Sequence, residues 1–301
     1  MNRNLPFSEW PDAEEIAAKT LDQRQQKLVS DFGRDGYVTL DLDIPDFGVI
    51  AERIIAQLKP KYNGDHRIQD AWRVSDDVRA LACNHQILDT LALLYGRSAF
   101  PFQTLNFDVG TEQPTHSDSI HFHSFPHLFM AGVWVALEDT DAGNGPLHYY
   151  PGSHKLPPYT LADIGVPPDK AGSYDLYVKH YEPFIEEVVA RHGFTRTHAH
   201  LRRGQALIWS ANLLHGGSPI REQGRTRHSQ VTHYYFDDCV YYTPLWSDAA
   251  AGKNYYRSPL HIGTGRTAPQ RNCGQPFKPP LKMRTKEFLK SAVSRIYRSK
   301  R

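Results

Sequence analysis

Cysteine is scarce in this sequence: Cys83, Cys239 and Cys273 are the three among 301 residues. They are odd in number, widely separated and form no CxxC pair, which argues against a disulfide scaffold or a zinc knuckle. Charge of one sign is scarce too. The formal net charge is only +2, so no overall field argues for nucleic acid as a partner. No apolar run is long enough to span a bilayer. The first twenty residues carry Asp12, Glu14 and Glu15 and lack the apolar h-region of a signal peptide. No internal repeat or low-complexity tract interrupts the chain. These absences leave a soluble protein in a reducing, cytoplasmic setting as the expectation.

What is present is apolar material for one large core, at 40% hydrophobic and 12% aromatic residues. The N-terminal part reads as helical. Residues 14–32 carry Ile16, Ala17, Leu21, Leu28 and Phe32 at roughly helical spacing, and Gly33 and Gly36 end the pattern. The strand Tyr37–Leu40 follows. Residues 46–58 and 76–95 predict two further helices. From about 100 to 240 the character changes to short aromatic and β-branched runs bounded by turn residues, the signature of strands in a sandwich or barrel. The clearest are Phe102–Phe107, Ala131–Leu137, Leu147–Tyr150, Ala206–Ser210 and Ser229–Phe236. Residues 157–200 interrupt them with a Pro-rich entry and a helix near Glu182–His192, and read as a lid-like insertion. The chain is therefore read as one domain, 1–301. It has a helical flank over about 1–98, a barrel core over about 99–240 and a C-terminal extension over 241–301. Residues 278–301 hold nine Lys/Arg against the single acid Glu287. This basic tail reads first as a solvated helix and second as a contact for an acidic surface.

Sixteen histidines are many for this length, and where they fall matters. In Thr115-His116-Ser117-Asp118, His116 and Asp118 are two apart, so on an extended strand both side chains leave the same face. A lone His-x-Asp is cheap by chance and needs a third ligand. His215, in Leu214-His215-Gly216-Gly217, follows the apolar strand Ala206–Ser210 and supplies one. Two imidazoles and one carboxylate on one side of a metal leave coordination positions open, the arrangement of non-haem Fe(II) sites. Arg227 lies at the start of the strand Ser229–Phe236. Its guanidinium fork suits the far carboxylate of a dicarboxylate such as 2-oxoglutarate. Arg225 is the nearby rival but follows Gln223-Gly224 and reads as turn. His121 and His123 form a second i, i+2 pair. They lack a carboxylate at the needed spacing and face away from Asp118 if the strand runs on, whereas a turn at Ser119 would swing them toward a substrate pocket.

Several motifs together carry a resemblance. They are Phe32-Gly33-Arg34-Asp35-Gly36-Tyr37, the run Phe102–Phe107, His116-Ser117-Asp118, Val133–Leu137, Asn144-Gly145-Pro146-Leu147, Pro151-Gly152-Ser153-His154-Lys155, His215-Gly216-Gly217 and Arg227. Over most of its length the chain resembles the phytanoyl-CoA dioxygenase-like family of Fe(II)/2-oxoglutarate oxygenases, relatives of ectoine hydroxylase. The resemblance implies a mainly β fold with flanking helices, a double-stranded β-helix of the jelly-roll, cupin-like kind. It implies Fe(II), 2-oxoglutarate and O2 as cofactor and co-substrates. Hydroxylation of an unactivated C–H bond of a small molecule, with release of succinate and CO2, follows. It places His116, Asp118 and His215 on the metal and Arg227 on 2-oxoglutarate. Gln103 matches a glutamine that contacts 2-oxoglutarate, and Trp134 an aromatic beside it. Two departures stand out. Gly217 occupies a place where many members carry a serine, with Ser218 next. Ser119 follows the aspartate where some carry tryptophan. The alternative is a catalytically silent barrel of the same fold that binds a metal or ligand. A zinc hydrolase would need a general base beyond the ligands, and no motif supplies one.

Overall fold

The computed structural model describes residues 4–62, 64, 66–166, 174–248, 251–272 and 274–279. Cys273 and almost all of the basic tail, 280–301, lie outside the described residues. The N-terminal flank contains the helices α1 (Ala13–Thr20), α2 (Gln23–Asp35), α3 (Phe47–Leu58), α4 (Asp76–Ala82) and α5 (His85–Tyr95). Two expected helices are thus each broken in two, and in both cases a capping side chain is the reason. The Asp22 carboxylate accepts from the Gln25 N–H at 2.8 Å, and the Gln25 side chain accepts from the Asp22 N–H at 3.2 Å. This reciprocal box starts α2 afresh. Likewise Asn84 accepts from the Ile87 N–H at 3.1 Å and begins α5. Gly36, at φ 80°, ends α2. Gly33 lies inside the helix instead, where a Cβ would stand 2.6 Å from the Ser8 carbonyl oxygen.

The strands up to residue 242 are β1 (Tyr37–Asp41), β2 (Arg67–Gln69), β3 (Ala99–Phe107), β4 (His123–Phe125), β5 (Met130–Ala136), β6 (Leu147–Tyr149), β7 (Thr197–His198), β8 (Gln205–Ser210), β9 (His215–Gly217), β10 (Ser229–Phe236) and β11 (Val240–Tyr242), and two short hairpins follow over 260–276. Six of them form one antiparallel sheet in the order β1-β8-β5-β10-β3-β2. A smaller sheet runs β7-β6-β9, and β4 pairs with β11. The central strands β5, β8 and β10 of the large sheet are buried on both faces, and the period of two sorts their side chains. Val133, Val135, Ala206 and Ile208 join Phe32, Leu91, Leu94 and Tyr95 in the core under the helices. Trp134, Ala136, Leu207 and Trp209 point the other way and pack with Tyr149 and Leu213 of the small-sheet side. Each large apolar side chain so buried contributes about 1.5–3 kcal/mol against the unfolded chain.

The fold is mainly β with flanking helices, as the sequence implies. Among the described residues, however, the strand pairing does not close into a barrel. Closure needs a continuous staggered ladder. Here the strands of the small sheet are two or three residues long and the sheets meet through side chains. The insertion has a core of its own. Tyr177, Tyr181, Ile185 and Val188 pack with Ile120, Leu214 and Leu245, and its helix spans Glu182–His192. No described helix is long and apolar enough to cross a membrane.

Candidate metal centre

The site lies between the two sheets. The backbones of His116 and His215 exchange hydrogen bonds, His116 N to His215 O at 2.9 Å and His215 N to His116 O at 3.0 Å. This brings their rings to 4.5 Å between centroids. After Ser117 the chain turns into a short 3-10 helix, Asp118–Ile120, so Asp118 still faces the same point. One ligand atom from each of His116, Asp118 and His215 lies within 4.8 Å of the others. His116 Nε2 is 3.9 Å from Asp118 Oδ1, and His215 Nε2 is 3.8 Å from Asp118 Oδ2. All three are buried.

The donor set fits a divalent transition metal. Each imidazole uses Nδ1 to reach a carbonyl two residues back, Pro114 for His116 and Leu213 for His215, both at 2.9 Å. A carbonyl only accepts, so the proton sits on Nδ1 and the Nε2 lone pair faces the centre. The Gln113 amide, 3.3 Å away, is the neighbour of His116 Nε2. Burial pushes the His116 imidazole down to about 3, so it is neutral near pH 7. Burial works against the Asp118 carboxylate, but His215, His233, His116 and the Trp209 N–H outweigh it and hold its carboxyl down to about 2. Neutral imidazole and ionised carboxylate are the forms a metal takes up.

Trp209, which the sequence reading missed, orients Asp118: its Nε1–H donates to Asp118 Oδ2 at 2.9 Å. Room for the indole comes from Gly132, its register partner on β5. A Cβ there would stand 2.2 Å from the ring.

The triad opens into a cavity of about 470 Å³. Gln103, Trp134 and Arg227 line it as well. Arg227 is 1% exposed. One Nη donates to the Gly145 carbonyl at 2.8 Å, Nε has no hydrogen-bond partner among the described residues, and the guanidinium carbon is 5.6 Å from the Trp134 ring centre. Burial lowers its pKa to about 10, leaving it cationic near pH 7. Among the described residues no carboxylate lies within ion-pair distance of it. Arg225, by contrast, is at the surface in a bidentate pair with Asp141, both contacts 2.9 Å. His121 does enter the cavity, through the turn at Asp118–Ile120, whereas His123 leaves it to stack on Tyr242. Gly217 is glycine for space, since a Cβ would come 2.6 Å from Thr111 Oγ1. Ser218 turns away to His148, at 3.5 Å. Ser119 bonds Asn212 and does not line the cavity. Neither Cys83 nor Cys239 lines it.

His233 was also missed. It lines the cavity with Nε2 3.8 Å from Asp118 Oδ2 and Nδ1 2.9 Å from Gln103 Oε1. The signal was available, because Arg227, Val231 and His233 share one face at a period of two.

Peroxisomal phytanoyl-CoA dioxygenase from Rattus norvegicus is 30% identical over 134 residues, 44% of this chain and 36% of that protein. The match thus spans about a third of that relative's length. Ectoine dioxygenase from Sphingopyxis alaskensis is 25% identical over 237 residues, 70% of this chain and 73% of that protein. Among solved structures, the non-heme α-ketoglutarate-dependent carbocyclase SnoK from nogalamycin biosynthesis shares the fold, with a TM-score of 0.57 at 16% identity over 88% of this chain and 96% of that one. The family model for phytanoyl-CoA dioxygenase (PhyH) matches residues 37–229. That span runs from β1 through both arms of the triad to Arg227, and the chain belongs to the phytanoyl-CoA dioxygenase (PhyH) family.

Proposed function

We propose that this protein is an Fe(II)- and 2-oxoglutarate-dependent oxygenase that hydroxylates a C–H bond of a small molecule. One observation carries the reading. A carboxylate flanked by two imidazoles with inward lone pairs shares a cavity with a buried guanidinium that no described carboxylate meets within ion-pair distance, Glu138 acting on it only from farther away. A cation taken out of water is stable only when something of opposite charge completes it. A bound dicarboxylate would do so. When bound, iron and 2-oxoglutarate would supply, with O2 as oxidant, an oxidative decarboxylation to succinate and CO2 in which one oxygen atom of O2 enters succinate and the other the substrate.

The residues divide the work. His116, Asp118 and His215 would hold the metal, three ligands being a set that leaves room for a co-substrate. Trp209 fixes the Asp118 carboxylate by its N–H. Arg227 takes the far carboxylate of 2-oxoglutarate, with Trp134 as the wall beside it and Gln103 offering its amide. The burial of the triad keeps bulk water from the reacting centre. The two facing antiparallel sheets support a jelly-roll, cupin-like double-stranded β-helix within a single domain, 1–301. The described parts of the insertion, 157–166 and 174–200, act as its cover, since Tyr174 lines the cavity.

The test is direct. Protein supplied with Fe(II), 2-oxoglutarate and air should release succinate, slowly alone and faster with its substrate. His116→Ala, Asp118→Ala or His215→Ala should abolish it. Full metal and 2-oxoglutarate binding without succinate under any substrate would favour the silent barrel instead.

A further inference from the structure

Gln103 and His233 face each other across β3 and β10 as direct register partners, and the ladder bulges immediately after His233. The bulge falls where Tyr234 comes opposite Pro101, a residue with no N–H to give. Bulges re-aim side chains, and here both side chains of the pair line the cavity. The contact between them is one hydrogen bond of 2.9 Å, from His233 Nδ1 to Gln103 Oε1. An amide oxygen only accepts, so the shared proton belongs to the imidazole. Two consequences follow. The Gln103 carbonyl is occupied, which turns its NH2 group to the other side. The His233 ring is fixed with its proton on Nδ1, which leaves Nε2 as a lone pair 3.8 Å from Asp118 Oδ2. That is too far for a hydrogen bond, and His233 stands outside the three-residue ligand cluster. Among the described residues nothing bonds the Gln103 amide nitrogen.

We propose that His233 is a positioning residue for the co-substrate: it locks the Gln103 side-chain amide so that the NH2 group, and not the carbonyl, is presented to a 2-oxoglutarate carboxylate. An unlocked glutamine can present either end, and the wrong end sets a carbonyl dipole against an anion. This rests on the 2-oxoglutarate reading above but says something separate about how that ligand is recognised.

The experiment is a calorimetric titration of 2-oxoglutarate into Mn(II)-loaded protein, where no oxygen chemistry runs. Wild type is compared with His233→Leu, His233→Asn, Gln103→Leu and the His233→Leu/Gln103→Leu double variant. The titrations are run with Mn(II) saturating in each variant, as read by electron paramagnetic resonance, so that any change at Asp118 does not enter the comparison. His233→Leu and Gln103→Leu should each weaken 2-oxoglutarate roughly tenfold, the scale of one hydrogen bond to a charged group. The double variant should be no weaker than either single, because both remove the same contact. His233→Asn places an amide N–H near the old Nδ1 and should recover most of the affinity. In wild type, imidazole 15N shifts should report His233 protonated on Nδ1 and not on Nε2. An Nε2–H tautomer, additive losses in the double variant, or wild-type affinity in His233→Leu would each overturn the proposal. Should His233→Leu fail to fold, the asparagine variant and the 15N shifts still decide it. No 2-oxoglutarate binding by wild type would sink the co-substrate reading, and this inference with it.

Discussion

At the scale of single residues, the site divides into what spacing reveals and what only neighbours reveal. The His-x-Asp pair was legible because i and i+2 share a face on an extended backbone. Arg227 was legible because it heads a run whose alternation fixes its direction, and Arg225 is set apart by its surface pair with Asp141. Trp209 was not found, because its role depends on Asp118 coming to it from a turn distant in sequence, which no local pattern encodes. His233 was overlooked although it shares the face of Arg227 at a period of two. The sharpest residue-scale prediction concerns the guanidinium. Leaving one partner of a buried charge pair alone costs about 3–5 kcal/mol. Arg227→Ala should therefore raise the dissociation constant for 2-oxoglutarate by orders of magnitude with metal affinity nearly intact. Arg227→Lys should recover part of the loss, since a point charge cannot form the fork. Arg225→Ala should bind as wild type. Anaerobic titration with Fe(II) present ranks the three, and the reverse order for Arg225 and Arg227 would move the anchor.

At the scale of elements, strands and isolated helices read well and helix breaks did not. Ser229–Phe236 and Glu182–His192 have the bounds their patterns suggest. The breaks at Asp22 and Asn84 escaped because the apolar stripe continues across them, and a stripe does not register a cap. The pairing of β5 with β8 carries a prediction. Gly132→Ala drives a Cβ into the Trp209 ring, an overpacking that costs ~1–3 kcal/mol. It should also weaken the metal about 10–100-fold, the range for losing a group that orients a ligand. Adding Trp209→Leu should relieve the first effect, read as melting temperature, and not the second, read by metal titration. Recovery of both would show that the indole N–H does nothing for Asp118.

At the scale of the whole molecule, the sequence pattern pointed to a barrel, and the two larger sheets among the described residues meet through side chains without closing one. Periodicity says which residues face inward. It does not say which strand neighbours which, because pairing over long sequence separation leaves no local trace. The site joins the two sheets, so what fills it should hold them together. Ligands that bind only the folded chain stabilise it by about 2.7 kcal/mol at a hundred times their dissociation constant. In a chain of this size that is roughly 4 °C in melting temperature. Mn(II) with 2-oxoglutarate should produce that shift in calorimetry, 2-oxoglutarate alone much less, and Asp118→Ala should lose it. A shift that survives in Asp118→Ala would place the binding elsewhere.

The contact between Trp209 and Asp118 also makes the protein its own optical instrument. The indole N–H is 2.9 Å from the carboxylate and the ring 4.9 Å from that of His215. A tryptophan so placed is a fluorophore in contact with the centre, and an open-shell cation quenches ultraviolet emission at such range. Mn(II) or Fe(II) should darken one component of the protein's fluorescence in proportion to loading. Closed-shell Zn(II) should leave that component bright. In Trp209→Phe the component should be missing before any metal is added.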